Sequence, residues 1–223
     1  MLGMGTLLLV ACKDDVAGPR DPGFAYFPTA VGTWVEYQVD SIWRDDEQEV
    51  HDSISFRLLE RIEEHYVDPA GRPAQRILRY VLDDQDEWVV RDVWTATLTE
   101  RYAEKLEENM RRLKLSFPLR KGRTWDTNIY NTDKELPVAI KDIDVQASLG
   151  SMALDSTLVL ENTIPANLVE RRDLMERYAK HIGLVEKHWT ETITQPQFLP
   201  NGQIIYRVKG FWLRMTAVAH GHP

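Results

Sequence analysis

The sequence predicts a mainly β protein with a single antiparallel domain, folded as a curved sheet, a sandwich or a partly open barrel. Apolar and polar residues alternate in many short runs, which is the pattern of strands with one buried face. Turn-forming residues separate these runs, as in sheets whose strands follow each other along the chain. The 223 residues also include seven tryptophans, and large aromatic side chains favour strands.

The first predicted strand covers residues 34–43, where Val35, Tyr37 and Val39 share one face and polar residues occupy the other. The same alternation predicts further strands, each with a shared apolar face. These faces are formed by Ile54, Phe56 and Leu58; by Leu78, Tyr80 and Leu82; by Trp88, Val90 and Trp94; and by Ile143, Val145, Ala147 and Leu149.

Near the C-terminus the alternation changes phase. Tyr206 and Val208 share one face, whereas Phe211 and Leu213 lie in the opposite phase, and Gly210 stands between the two pairs. An extra residue in one strand shifts the phase in this way, and glycine tolerates the backbone that such an insertion needs. The sequence therefore predicts a β-bulge at Gly210.

Two stretches, 98–113 and 167–182, are open between helix and strand. The first is rich in Glu, Lys, Arg and Ala, with apolar residues at helical spacing. In the second, Asn167 and Glu170 have the spacing of a capping box, and Gly183 would end the helix. The segment 178–185 is instead similar to a strand-bend-strand unit of secreted bacterial β-proteins. One or two helices covering the sheet thus remain an alternative at these positions.

The N-terminal residues resemble a bacterial lipoprotein signal. Residues 1–11 are uncharged and end in Leu9, Val10 and Ala11, directly before Cys12, the only cysteine of the chain. The resemblance predicts cleavage before Cys12, which then carries acyl chains such as palmitate. We expect a signal peptide at 1–11, a lipidated tether at 12–23 and a β-rich domain at 24–223. The signal run is short and has no Lys or Arg, which predicts a start codon further upstream.

Several motifs resemble uncharacterised lipoproteins of Bacteroidota. They are the segment from Phe27 and Pro28 to Gly32 and Trp34, its echo at Phe117 and Pro118 with Gly122 and Trp125, and the Tyr-Ala-Lys-x-Ile-Gly-Leu-Val run at 178–185. The residues 13–15, Lys-Asp-Asp, are similar to the signal that sends some of these lipoproteins to the cell surface. The resemblance implies an outer-membrane location and a β architecture. A surface-facing and a periplasmic orientation both remain open.

Composition excludes several classes of function. The net charge of −8 argues against a nucleic-acid partner, because phosphate binding needs a basic face. The six histidines show no spacing of a zinc site, and no nucleophile elbow, phosphate loop or dinucleotide fingerprint occurs. We therefore expect no catalytic residues, no metal and no cofactor.

The tryptophans are the candidate binding residues. If several of them line a concave sheet face, they would form a pocket for an apolar or glycan ligand. The candidates are Trp34, Trp88, Trp94, Trp189 and Trp212. The expected function is a non-catalytic binding module for an amphiphilic or glycan ligand, held on the membrane by its N-terminal acyl chains. The alternative is a structural or accessory subunit of an envelope protein complex.

Overall fold

The computed structural model describes residues 21–165 and 167–223, so that the predicted signal at 1–11, Cys12 and most of the 12–23 segment lie outside the described residues. A short 3₁₀ helix, Phe24–Tyr26, precedes twelve antiparallel strands in one sheet, which confirms the predicted mainly β fold. The strands are β1 (Trp34–Asp45), β2 (Val50–Val67), β3 (Pro73–Leu82), β4 (Trp88–Leu98), β5 (Tyr102–Glu107), β6 (Met110–Ser116), β7 (Thr124–Asp126), β8 (Pro137–Leu149), β9 (Met152–Asn162), β10 (Glu170–Ala179), β11 (Gly183–Phe198) and β12 (Ile204–Gly221).

The sheet curls until its two edges meet. Its order is β6-β5-β4-β3-β2-β1-β12-β11-β10-β9-β8-β7, so that β1 and β12 pair at the centre while β6 and β7 form the edges. The backbone N–H of Leu113 in β6 donates to the oxygen of Thr127 just after β7, at 2.9 Å. The indole N–H of Trp125 in β7 donates to the oxygen of Leu113 at 3.1 Å. The result is a nearly closed, barrel-like sheet with an enclosed interior.

The interior is divided among three groups of buried apolar side chains. The first joins Tyr26 and Phe27, before β1, to residues from both halves of the sheet, such as Ile77 and Leu158. The hydroxyl of Tyr26 donates to Asp144 at 3.0 Å, which ties this segment to β8. The segment at 24–27 therefore fills the interior at the end of the sheet where β1 begins, which we call the N-terminal end. The turns 46–49, 83–87 and 199–203 lie at the opposite end, the hairpin end.

The two stretches that the sequence left open are strands. Residues 98–113 form the end of β4, then β5 and most of β6, because Glu108 and Asn109 both adopt positive φ and reverse the chain in a tight turn. Residues 167–182 contain β10, and the side chain of Asn167 accepts the backbone N–H groups of Val169 and Glu170 without starting a helix. No covering helix forms in these stretches within residues 21–165 and 167–223.

In β3 and β4 the shared apolar faces are not all turned inward. Ala74, Gln75, Ile77 and Arg79 are the buried residues of β3, whereas Leu78, Tyr80 and Leu82 lie on the outer side. A register shift between Arg79 and Tyr80 leaves Trp94 inside while Trp88 and Val90 are exposed outside. Arg79 points inward because its ion-pair partners lie in the interior. The apolar residues of β3 that alternate with it therefore lie on the other face.

The predicted bulge at Gly210 is wrong. Gly210 pairs in register with Arg44 on one side and Thr192 on the other, and the register shift of this region lies between Glu36 and Tyr37. The change of phase arises because both faces of β12 carry apolar residues near the hairpin end. Glycine is required at this position for another reason: its φ is +145°, and the backbone of Glu191 lies against it.

We expect Gly210→Ala to destabilise the protein by about 3 kcal/mol. A Cβ at this position would lie 2.0 Å from the backbone oxygen of Glu191, and neither strand can move without loss of pairing. Gly202→Ala is the control, because its φ is +82° but no atom lies within 4 Å of an added Cβ. It should cost only about 1–2 kcal/mol of backbone strain. Urea unfolding measures the stability of both variants. Equal losses of stability would contradict the steric role assigned to the backbone of Glu191.

Candidate functional site

A cavity lies inside the sheet at its N-terminal end, and we call it the N-terminal cavity. Its volume is about 60 Å³, which is room for about four water molecules. Its walls are mainly apolar and aromatic, and come from the segment before β1, from β1 to β4 and from the bend between β10 and β11. The main wall residues are Phe27, Pro28, Trp34, Val35, Tyr37, Ile62, Ile77, Ala96, Tyr178, Ile182 and Leu184.

Three charged residues, Glu60, Arg61 and Lys105, also line the cavity. Arg61 pairs with Glu63, whereas Glu60 and Lys105 belong to a first ionic cluster with Arg79 and Asp92. Lys105 Nζ donates to Glu60 Oε2 at 3.0 Å, and Arg79 Nε donates to Glu60 Oε1 at 3.1 Å. Burial by itself would raise the pKa of Glu60, but the charges of Lys105 and Arg79 outweigh it and hold the pKa below its usual value. The cavity therefore presents charges that are already paired.

Tyr37 and Tyr178 stand between the cavity and the rest of the interior. Burial, with nearby carboxylates, raises the pKa of each well above its usual value, so both hydroxyls stay protonated. The hydroxyl of Tyr37 donates to the backbone oxygen of Leu184 at 2.8 Å. The hydroxyl of Tyr178 donates to Glu176 Oε2 at 2.6 Å. Each phenol is thus held in place by one hydrogen bond while its ring faces the cavity.

Glu176 belongs to a second ionic cluster, formed with Glu107, Lys114 and Lys187. Lys114 Nζ lies 2.7 Å from Glu176 Oε1 and 3.3 Å from Glu107 Oε1. Burial would lower the pKa of Lys114, yet the two carboxylates together raise it above its usual value. Burial would likewise raise the pKa of Glu107 and of Glu176, but the neighbouring lysines hold both below the usual range. Arg112 Nε also lies 3.8 Å from Glu107 Oε2, so that three cationic side chains surround the two carboxylates.

Lys187 is the least compensated member of this cluster. Its Nζ lies 3.5 Å from Glu176 Oε1 and 4.8 Å from the ring centre of Trp189. Burial, together with the charge of Lys114, lowers the pKa of Lys187. A void of about 10 Å³ lies beside it, which is room for about one water molecule. The second cluster thus has almost no space for a ligand.

The sequence analysis missed both ionic clusters. The charged residues occupy inward positions of β2 to β6, β10 and β11, where an alternating pattern predicts apolar side chains. Lys114 stands between Leu113 and Leu115, which are both buried as well. One feature of the sequence does indicate charged interior residues. Read as strands, residues 98–113 carry charged residues on both faces, so that no polar outer side can be recognised.

The structure does not bring the five candidate tryptophans to one face. Trp94 and Trp189 lie inside: the guanidinium of Arg79 is 3.6 Å from the ring centre of Trp94, and Trp189 meets Phe211 edge to face at 5.2 Å. Trp212 alternates with Phe211, which places it on the outer side of β12. Their role as ligand-lining residues stays a prediction.

Trp34 and Trp88 are the pair of candidates that the fold brings together. Both line a shallow depression of about 390 Å³, together with Leu59, Glu36 and Arg61. Trp34 also lines the N-terminal cavity, so that it borders both spaces. The depression combines two indole rings with two charged side chains.

Within residues 21–165 and 167–223, no three His, Cys, Asp or Glu side chains converge in a way that could hold a metal ion. In the same part of the chain, no helix is both long and apolar enough to cross a membrane. Cys12, the predicted lipidation site, is outside these residues.

Comparisons with known proteins found little similarity. No family model and no curated protein matches the sequence. Among solved structures, the chain is similar to a protein of Parabacteroides distasonis described as a "putative lipoprotein". The identity is 11%, the match covers 91% of this chain and 100% of that chain, and the TM-score is 0.41. A likeness at this level carries no argument about the function of this chain.

We expect Lys114→Met to destabilise the protein by about 3–5 kcal/mol, because it leaves two buried carboxylates without their main partner. The double variant Lys114→Met/Glu176→Leu should lose much less than the sum of the single variants, since the remaining carboxylate, Glu107, still has Lys187 and Arg112 beside it. Lys121→Met is the control: its ion pair with Asp142, at 2.8 Å, is exposed and screened by water, so its loss should change the stability little. Chemical unfolding measures the free energy of unfolding of Lys114→Met, Glu176→Leu, the double variant and Lys121→Met. Additive losses in the double variant would contradict the coupling between Lys114 and Glu176.

Proposed function

We propose that this protein is a lipid-anchored protein of the bacterial outer membrane that binds the apolar end of an amphiphilic ligand and catalyses no reaction. The observation that carries the proposal is the N-terminal cavity, with its apolar and aromatic walls and its paired charges. The anchor rests on the sequence alone, on the Leu9 to Cys12 pattern.

The size of the cavity limits what can enter it. Pockets that enclose a whole small ligand have about 300–1,000 Å³, whereas this cavity has about 60 Å³. A chain terminus of a lipid fits such a space, and the rest of the ligand then stays outside. Because Glu60 and Lys105 neutralise each other at 3.0 Å, they add no net charge that would repel an apolar chain.

The position of the anchor agrees with a ligand from the membrane. The backbone N–H of Leu119 donates to the oxygen of Pro22 at 3.0 Å, so that the described chain begins at the N-terminal end of the sheet. Residues 13–21 can span at most about 30 Å when extended. Acyl chains on Cys12 would therefore hold the end with the cavity near the lipid surface.

A glycan ligand has a different site in this fold. Sugar rings stack on aromatic side chains and need hydrogen-bonding groups beside them. The outer depression offers Trp34 and Trp88 with Glu36 and Arg61, whereas the cavity walls offer few such groups. Substitutions at the two places therefore distinguish the two ligand classes.

The second candidate function is a subunit of an envelope protein complex. It is favoured by apolar side chains exposed at the hairpin end of β11 and β12, where Phe198 is 73% and Tyr206 is 67% exposed. Exposed apolar groups of this size in a cluster are typical of protein contact surfaces.

We expect Ala96→Leu to lower the affinity for a lauroyl lysophospholipid at least about tenfold, since the added side chain fills the cavity. Ala70→Leu, the same change at an exposed turn, and Trp88→Ala, in the outer depression, should leave the affinity unchanged. Isothermal titration below the micelle-forming concentration measures binding, and thermal unfolding checks that each variant is folded. If the wild-type protein gives no saturable binding, the proposal fails.

We expect Cys12→Ser to move the protein from the membrane fraction to the soluble fraction, because no thiol remains to accept a lipid. Mass spectrometry of the wild-type protein should show an acylated N-terminal cysteine. Lys13→Ala is the matched control, since it changes the neighbouring residue and keeps the thiol. A Cys12→Ser protein that stays with the membrane would show that another contact holds it there.

A further inference from the structure

Nearly half of β2 has a neighbour on one side only. β1 pairs with β2 from Val50 to Arg61, but β3 pairs with it only from Leu58 onward. Within the part of the chain that the structure describes, no other strand pairs with residues 50–57. We call these residues the β2 edge. Alternate N–H and C=O groups along it point away from β1 and are open to hydrogen bonds from another chain.

The β2 edge lacks two of the features that usually protect an open strand, although it does carry the charged residues Asp52 and Arg57. It contains no proline, and its pairing with β1 shows no register shift. β11 also extends beyond its neighbour, but it carries Pro196, and the N–H of Thr194 donates to the oxygen of Val169 at 2.6 Å. Charged residues, prolines and bulges discourage edge pairing in natural sheets. Residues 88–94 of β4 also lack a neighbour on the β5 side, but their pairing with β3 contains a register shift. Of these three stretches, the β2 edge is the one open to strand addition.

Apolar side chains lie beside the β2 edge on the face that continues the interior. Ile54 is 58% exposed, and Trp43 and Val89 on the same face are exposed as well. A strand added next to β2 would place every second side chain over these residues. The surface therefore fits a strand with alternating apolar residues.

Both ends of the β2 edge are acidic. At one end, β3 stops at Leu82 and is followed by a turn that contains Asp83, Asp84, Asp86 and Glu87. At the other end, the turn between β1 and β2 exposes Glu47 and Glu49. The arginines near this edge are already paired. Arg44 pairs with Asp46, Arg57 with Glu36, and Arg91, which lies over the ring of Phe56 at 5.2 Å, with Asp92 at 3.3 Å.

From the open edge and the acidic turns we propose that the β2 edge binds an extended segment of a partner protein by strand addition. The segment has alternating apolar residues and basic residues at its ends. Backbone hydrogen bonds supply affinity, and the two acidic turns select the basic ends.

A second copy of this chain fits the edge poorly. Antiparallel pairing of two β2 edges about a twofold axis would bring Glu47 and Glu49 of one copy close to the acidic turn of the other. Like charges at that distance oppose association, and the net charge of −8 on each copy adds to the repulsion. The partner is therefore expected to be a different, basic chain. This binding does not involve the N-terminal cavity, so that either proposal can fail without the other.

The test uses a fluorescent peptide of alternating valine and threonine with two lysines at each end, and fluorescence anisotropy as the readout. We expect saturable binding to the full-length protein. The same peptide with alternate backbone amides N-methylated should bind at least about tenfold more weakly, since it cannot pair with the edge. A peptide with glutamates at its ends should also bind more weakly.

Two charge-reversal variants test the position of the site. Asp84→Lys, in the turn beside the edge, should weaken binding of the lysine-ended peptide about fivefold. Glu100→Lys, an equally exposed reversal in another turn, should not change it. Equal binding of the methylated peptide, or no binding at millimolar peptide, would overturn the proposal. So would a concentration-dependent dimer that Ile54→Lys dissociates, because that result assigns the edge to a second copy of the chain.

Discussion

The buried contact between Lys114 and Glu176 is the constraint on which the rest of the structure depends. It joins β6, at one edge of the sheet, to β10, which lies eight strands away in the sheet order, across the interior. The contact can form only when the sheet curls until β6 and β7 meet. In return, the curled sheet excludes water from both groups, so that each charge needs the other. The curvature of the sheet, its closure and the pairing of these two charges therefore depend on one another.

The interior of the closed sheet has two regions with different properties. The second ionic cluster occupies the part beyond Tyr178, where the residual space is about 10 Å³, and the first cluster borders the N-terminal cavity. The N-terminal end keeps a cavity of about 60 Å³, because the segment at 24–27 fills that end only in part. Tyr37 and Tyr178 separate the regions, each held by one hydrogen bond. The paired charges thus form a rigid wall for an otherwise apolar space.

The two ends of the molecule differ in what they can contact. The described chain begins at the N-terminal end, beside the cavity, which is the end that a lipid anchor on Cys12 would bring to a membrane. The β2 edge and the acidic turns lie at the hairpin end. β1 runs between the two ends of the molecule and is about 40 Å long. A partner that pairs with this edge would approach from the side away from the anchor. Lipid binding and protein binding would then occur without competition.

The sequence by itself determined that the chain forms strands, because alternation is a local property and Val35, Tyr37 and Val39 show it without help from other segments. Its N-terminal pattern also determined the expectation of a lipid anchor. Only the tertiary structure decided that 98–113 is a hairpin, that Gly210 is needed for close contact with Glu191, and that charged residues form two clusters in the interior. The physical reason is distance along the chain: Lys114 and Glu176 are 62 positions apart, and no local pattern records which buried charge another will meet once the sheet has curled.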